Sequence, residues 1–170
     1  MLLGYKCFND DMTNNYGFQF KVGASYSVDG AIKTGLSGNG YHMCEKIEDT
    51  FRYYGAMNPN ITVCEVIGSG KIATAWDDYY GYETFAVERI EIVRELSRTE
   101  IIEIALNMND IRVIRFVQVF RLNFDEIKMF EEKFSNFPVV LNAIAYYQKG
   151  DLEVYKRTNC GYVKKRVKEE

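Results

Sequence analysis

The residues best suited to chemistry lie in one short segment, residues 40–45, which reads Gly-Tyr-His-Met-Cys-Glu. His42 and Cys44 stand two positions apart, so on a strand their side chains lie on the same face. With Cys7 or Cys64 they would supply part of a zinc site, but no Cys-x-x-Cys arm accompanies them. Because a metal needs a complete ligand set, we expect no metal site, and we expect His42 to order the turn or to take part in binding.

A second candidate surface is the aromatic and acidic segment over residues 76–83. Rigid aromatic rings beside carboxylates are typical of protein-recognition patches. The members of this predicted binding surface, in addition to His42, are Trp76, Asp77, Asp78, Tyr79, Tyr80 and Tyr82. The alternative is a loop that packs on its own sheet.

Composition limits the classes of protein to which the chain can belong. Its 170 residues are 47% hydrophobic with a formal charge of −3, which excludes disorder and a nucleic-acid surface that spans the whole molecule. A single His excludes a multi-histidine metal centre. We see neither a leader peptide nor an apolar run of membrane length, and the four cysteines are scattered. We therefore expect a cytoplasmic protein with free thiols and no membrane partner.

The carboxyl-terminal residues have a different charge from the rest of the chain. Residues 156–170 carry 6 basic and 2 acidic side chains, a net charge of +4. A basic run of this kind can contact nucleic acid, although a solvated terminus is the common alternative. The residues that would make such contacts are Lys164, Lys165, Arg166 and Lys168.

The elements that position these residues fall into two regions. Eleven of the 13 glycines lie within residues 1–81, where alternating and β-branched runs predict strands. The predicted strands cover residues 2–8, 17–22, 25–28, 31–34, 40–43, 61–67, 71–75 and 85–93. Asp29-Gly30 predicts a hairpin turn between the third and fourth strands, residues 68–71 predict another turn, and spacing predicts one helix over residues 44–54.

From Ser97 the hydrophobic period becomes helical. Polar caps predict helices that begin near Ser97, Asn109, Asn123 and Ser135, the last of them running from 137 to 148. We therefore predict an α+β fold with a small, twisted, antiparallel-rich β-sheet domain and one helix over residues 1–96. A helical, bundle-like region over 97–150 packs on it, and 151–170 form a short hairpin or a basic tail.

The order of the motifs resembles an uncharacterised domain family common in phage and prophage proteins. Its members carry a Gly-Phe-His-x-Cys-Glu core after a Gly-x-x-Tyr strand, followed by a Tyr-Tyr pair and an Ile-x-Ile strand before Glu-Leu. The corresponding blocks here are residues 23–26, 40–45, 53–54, 90–92 and 95–96, with Tyr41 in place of the usual Phe. The resemblance covers residues 4–106 and implies a phage or prophage origin and a bacterial cytoplasm, with no established activity.

The order of elements is also similar to that of compact ADP-ribosyltransferase folds. In those enzymes an aromatic ring stacks on the nicotinamide of NAD and a glutamate stabilises the transition state. The likeness assigns these roles here to Tyr41, Tyr54 and Glu83. The Ser-Thr-Ser strand of that group is absent from the sequence.

The sequence thus leaves three hypotheses about function. The leading one is a phage- or prophage-encoded binding protein that acts on a host or phage protein, as a regulator or a counter-defence inhibitor of the anti-CRISPR type, with no cofactor. The second is an NAD-using transferase. The third is a nucleic-acid binder that uses the basic tail. No complete catalytic set is present, which favours a protein that is not an enzyme.

Overall fold

The computed structural model describes residues 1–35, 38–55, 57–77, 82–150, 153–158 and 161–166, with the backbone alone at 77, 82 and from 153 onward. In this part of the chain, five strands form one antiparallel sheet in the order β1-β4-β5-β2, and β3 also pairs with β5. The strands are β1 (Leu2–Asn9), β2 (Ser25–Ser27), β3 (Tyr41–Met43), β4 (Ile61–Asp77) and β5 (Tyr82–Glu95). The α+β class and the order of strands before helices are confirmed.

A long hairpin of β4 and β5 forms the centre of the sheet, with Cys64 opposite Glu95 at one end and Asp77 opposite Tyr82 at the other. The prediction of a turn at 68–71 is wrong, because β4 continues through these residues. Gly70 has a φ of +79° and the register shifts between Ser69 and Ile72, so the glycine allows a bulge where a turn was predicted. A bulge of this kind bends the strand and increases its twist.

The sheet curls until its two edges meet. The N–H of Tyr5 in β1 donates to the Cys44 carbonyl at 2.7 Å, and the Cys44 N–H donates to the Tyr5 carbonyl at 3.0 Å. Cys44 directly follows β3, whose other side pairs with β5. This bridge requires a close approach at Gly4, where a Cβ atom would overlap the Cys44 carbonyl oxygen.

Two predictions about the segment between β1 and β3 are wrong. Residues 17–22 form no strand, although Gln19 makes a single bridge to Thr13. The predicted hairpin at Asp29-Gly30 is also not formed, because β2 pairs with β5, where Ser25 lies opposite Glu91. The local turn signal does not predict the pairing of β2, because β2 pairs with the edge of β5, which is distant in the sequence.

The first helical segment is shorter than predicted, with α1 over Ile47–Thr50 followed by a 3₁₀ turn over Phe51–Tyr54. The later helices are α2 (Arg98–Leu106), α3 (Asp110–Val119), α4 (Phe124–Lys133) and α5 (Pro138–Gln148). The predicted caps Ser97, Asn109 and Asn123 are confirmed, each accepting a hydrogen bond from a backbone N–H of the first turn. Ser135 does not cap α5, whose N-cap is Phe137 and whose first residue is proline.

Two cores lie on opposite faces of the sheet. Alternation in β1 directs Cys7 toward the helices and Phe8 into the curl of the sheet. The helical core joins Cys7 and Val63 of the strands to buried side chains of all four later helices, including Phe116 and Phe130. In α3, Val113 and Phe116 are buried, whereas Ile111 is exposed.

A buried ion pair also joins the sheet region to the helices. Arg112 in α3 donates to both carboxylate oxygens of Glu48 in α1, at 2.6 and 2.8 Å. The Glu48 side chain is fully buried. Near the carboxyl terminus, β6 (Glu153–Thr158) pairs antiparallel with β7 (Gly161–Arg166). Among the described helices, none is long and apolar enough to cross a membrane.

Candidate functional site

An open groove of about 800 Å³ lies where the curled sheet meets the segment between β1 and β2. Lys6 of β1 and His42 of β3 form part of its lining, and Tyr54 of the 3₁₀ turn borders it. Trp76, near the end of β4, extends the wall along the hairpin. The volume falls in the range of ligand-binding clefts, so the groove is the candidate functional site.

Lys6 is placed in the groove by the alternation of β1. Residues 2, 4, 6 and 8 share the face that turns into the curl, so Lys6 shares the inward face of Phe8. Its ammonium donates to the His42 carbonyl at 2.8 Å and lies 5.6 Å from the Phe8 ring centroid and 5.9 Å from that of Phe20. Burial lowers the pKa of Lys6 to about 8, against the opposing effect of the neighbouring thiols.

Aromatic rings build one wall of the groove. Phe20 contacts Phe18, Tyr26 and Tyr41 with ring centroids 4.8, 5.0 and 6.2 Å apart. The Tyr41 hydroxyl donates to the Ser27 carbonyl at 3.3 Å, which ties β3 to β2. Edge-to-face contacts of this kind stabilise ring pairs beyond simple burial, so the wall is held in place before any ligand binds.

One nitrogen of the His42 ring has unused hydrogen-bonding capacity within the described residues. Its Nε2 atom is buried and forms no hydrogen bond to any described residue. Burial, and then the positive charge of Lys6, lowers the pKa of His42, which keeps the imidazole neutral near pH 7. A neutral ring can donate from one nitrogen and accept at the other.

The thiols and phenols near the groove are kept protonated. Burial raises the pKa of Cys7 and of Tyr54 to about 12, and burial together with Asp49 raises the pKa of Cys44. A nucleophilic or metal-binding cysteine requires the thiolate, which this environment disfavours. In the described part of the chain, no group of three or more His, Cys, Asp or Glu side chains is placed to hold a metal ion.

A family model described as a domain of unknown function, DUF7666, matches residues 2–104. This is more than half of the chain. The chain belongs to the DUF7666 family. Comparisons with curated proteins and with solved structures found no match. The matched region agrees with the predicted membership of an uncharacterised family and contains every residue that lines the groove, so the groove is a feature of the DUF7666 domain itself.

The DUF7666 groove brings together four of the residues singled out by the sequence. Tyr41, His42, Tyr54 and Trp76 all line it, although they come from three separate segments. Glu83 does not line it and lies exposed on β5, opposite Trp76 in the register. Two of the three residues assigned by the transferase likeness therefore line the groove, and Glu83 lies beside it without lining it.

The other predicted site residues lie partly outside the described structure. Asp77 ends β4 and Tyr82 begins β5, with only their backbone described. Asp78, Tyr79 and Tyr80 lie outside the described residues. Of the basic tail, Lys164, Lys165 and Arg166 fall in β7 and Lys168 lies outside the described residues.

Sequence reasoning missed the charged side of the groove. Lys6 and Arg52 line it, as do Asn15 and Tyr16 from the segment after β1. Asn15 donates to the Tyr53 carbonyl at 3.1 Å, which holds that segment against the 3₁₀ turn. A signal for Lys6 was present in the alternation of β1, because an even-numbered lysine there shares the face of Phe8.

Proposed function

We propose that this DUF7666 protein is a binding protein that receives a segment of a protein partner in its groove. The observation that carries the proposal is the convergence of Tyr41, His42, Tyr54 and Trp76 on one open groove. Aromatic side chains supply large contact area at low entropic cost, and they dominate the binding energy of many protein interfaces. Trp76 is 59% exposed, a large apolar surface that a partner would cover.

The proposed setting is the cytoplasm of a bacterial host, with a gene of phage or prophage origin. The resemblance of residues 4–106 to phage and prophage proteins supports this origin. A small binding protein in that setting acts as a regulator or a counter-defence inhibitor, because occupying a site on a host protein requires no catalysis. The protonated thiols and the exposed position of Glu83 outside the groove favour binding over catalysis.

The NAD-using alternative is supported less well by the geometry. Tyr41 and Tyr54 line the same groove, but Glu83 lies outside its lining. If NAD raised the melting temperature and Glu83→Gln abolished product formation while keeping that rise, the transferase would replace the binding-only proposal.

Affinity capture from a bacterial host lysate, with the captured proteins identified by mass spectrometry, tests the proposal. The matched variants are Trp76→Ala in the groove and Phe124→Ala on α4, both of which remove an exposed aromatic side chain. We expect Trp76→Ala to reduce recovery of the specific partner about tenfold or more, since loss of a tryptophan that a partner buries at an interface can cost about 2 kcal/mol. Recovery with Phe124→Ala should match the unmodified protein. Equal recovery with both variants would contradict the proposal.

A further inference from the structure

The charges that line the groove are of one sign. Among its described lining residues, Lys6 and Arg52 are the formally charged ones, and neither Asp nor Glu is present. Residues 1–96, which contain the groove, carry 13 acidic and 8 basic side chains. A basic cleft in an acidic region is therefore a local exception, and a cleft with low-dielectric walls concentrates the potential of the charges inside it.

Lys6 differs from the cations that form ion pairs within the described residues. Ion pairs join Lys71, Arg94, Arg98, Arg112, Lys128 and Lys149 to carboxylates. Lys6 forms none of these pairs, and within the described residues its one hydrogen bond goes to the His42 carbonyl. Since an ammonium has three N–H donors, two remain for a ligand. Removing a charge from water without a partner is costly, which favours an anion at this position.

His42 adds a second group to the same lining. Its Nε2 atom is buried and has no hydrogen-bond partner among the described residues. In the tautomer that carries the proton at Nε2, the ring can donate to a ligand atom that reaches it. An ammonium and a neutral N–H donor together suit an anionic oxygen group.

The rim of the groove suits a chain more than an isolated ion. Tyr16, Phe18 and Trp76 line the opening and are all exposed. A free anion would leave these rings uncovered, whereas a peptide segment would cover them and place one side chain on the floor. The volume of about 800 Å³ accommodates several residues of such a segment.

We infer that the groove receives an acidic peptide segment, one of whose anionic oxygen groups, a carboxylate or a phosphorylated side chain, pairs with the ammonium of Lys6. This inference rests on the proposed function, because it names the chemistry by which the partner segment is recognised. His42 supplies a further N–H donor to the bound segment, and the aromatic rim contacts the flanking residues of the segment.

The test measures how fast Lys6 in the full-length protein is acylated by an amine-reactive reagent near neutral pH, read peptide by peptide by mass spectrometry. The probes are polyglutamate, a phosphoserine peptide, a glutamine peptide of matched length, and AMP. We expect polyglutamate or the phosphoserine peptide to slow acylation of Lys6 about tenfold. Lys128 on α4, which lies outside the groove lining, serves as the internal control and should be unaffected. The more protective of the two anionic probes identifies the anionic group.

Two variants link protection to the charge. Lys6→Arg should retain binding of the protective peptide, and Lys6→Met should weaken it about tenfold while circular dichroism confirms that both remain folded. The inference would be overturned if neither anionic peptide slowed the acylation of Lys6. It would also be overturned if the glutamine peptide, or AMP but neither anionic peptide, slowed that acylation. If partner capture still depends on Trp76 in that event, the proposed function stands without an anionic anchor. If Lys6 is protected but Trp76→Ala leaves partner capture unchanged, the proposed function fails.

Discussion

Replacing Arg112 with leucine should destabilise the whole protein, because Arg112 is the counter-charge of a fully buried carboxylate. Both oxygens of Glu48 accept hydrogen bonds from the Arg112 guanidinium, at 2.6 and 2.8 Å. Glu48 belongs to α1 beneath the sheet and Arg112 to α3 of the helical region. Without Arg112, folding would bury Glu48 with no partner of opposite charge.

The expected loss follows from the burial of the two partners. Removing one partner of a buried pair costs about 3–5 kcal/mol. The side chain of Arg112 is 34% exposed, so water can partly replace it and the lower end, about 3 kcal/mol, applies. For a chain of this size, 1 kcal/mol shifts the melting temperature by about 2–4 °C. We therefore expect Arg112→Leu to melt about 6–12 °C below the unmodified protein.

Denaturant unfolding followed by circular dichroism measures the loss in free energy of unfolding, and a thermal melt measures the shift in melting temperature. Lys149→Leu is the control, because it removes a cation from the more exposed pair with Glu131 and should cost about 1 kcal/mol or less. The double variant Glu48→Leu with Arg112→Leu should recover most of the loss, since no charge is then left buried. A loss for Arg112→Leu no larger than that for Lys149→Leu would refute the reasoning.

Three further predictions concern the sheet region. Burial is the main cause that raises the pKa of Asp49, to about 6, so stability falls as the pH rises from the ordinary aspartate pKa through 6. Asp49→Asn should therefore be close to neutral in acid and stabilising above neutral pH; a stabilisation independent of pH would contradict this. Cys7, Cys44 and Cys64 are buried with raised pKa values, so iodoacetamide should modify them only after denaturation, and rapid native labelling would count against the described core. Gly4→Ala should cost about 1–3 kcal/mol in chemical denaturation because its Cβ would overlap the Cys44 carbonyl, whereas the exposed Leu3→Ala should cost less, and the reverse order would argue against closure of the sheet at this bridge.

Local signals in the sequence are sufficient to predict where α2, α3 and α4 begin. Ser97 and Asn123 each begin a capping box, in which the carboxylate of the third following residue, Glu100 or Glu126, accepts a hydrogen bond from the backbone N–H of the cap. These contacts span three residues, so spacing alone predicts them. The cap at Ser135 was predicted wrongly because the backbone turns once more before Pro138 begins α5.

The features that the sequence does not predict depend on pairing between strands that are far apart in the chain. A glycine such as Gly70 permits either a turn or a bulge, and the choice depends on whether β5 continues alongside. The bridge between Tyr5 and Cys44 joins residues 39 positions apart, and no local pattern indicates it. Because that closure turns the inner face of β1 toward the groove, local patterns do not single out Lys6, although they single out Tyr41, His42, Tyr54 and Trp76 as candidates.

The central claim is that a protein partner occupies the groove, and Trp76 reports on this directly. It is the single tryptophan in the sequence, so incorporation of 5-fluorotryptophan gives one ¹⁹F resonance from the groove wall. On addition of the captured partner, itself unlabelled, the account predicts a shifted or broadened resonance that titrates with binding. An unchanged resonance at saturating partner would place the interface elsewhere and contradict the account.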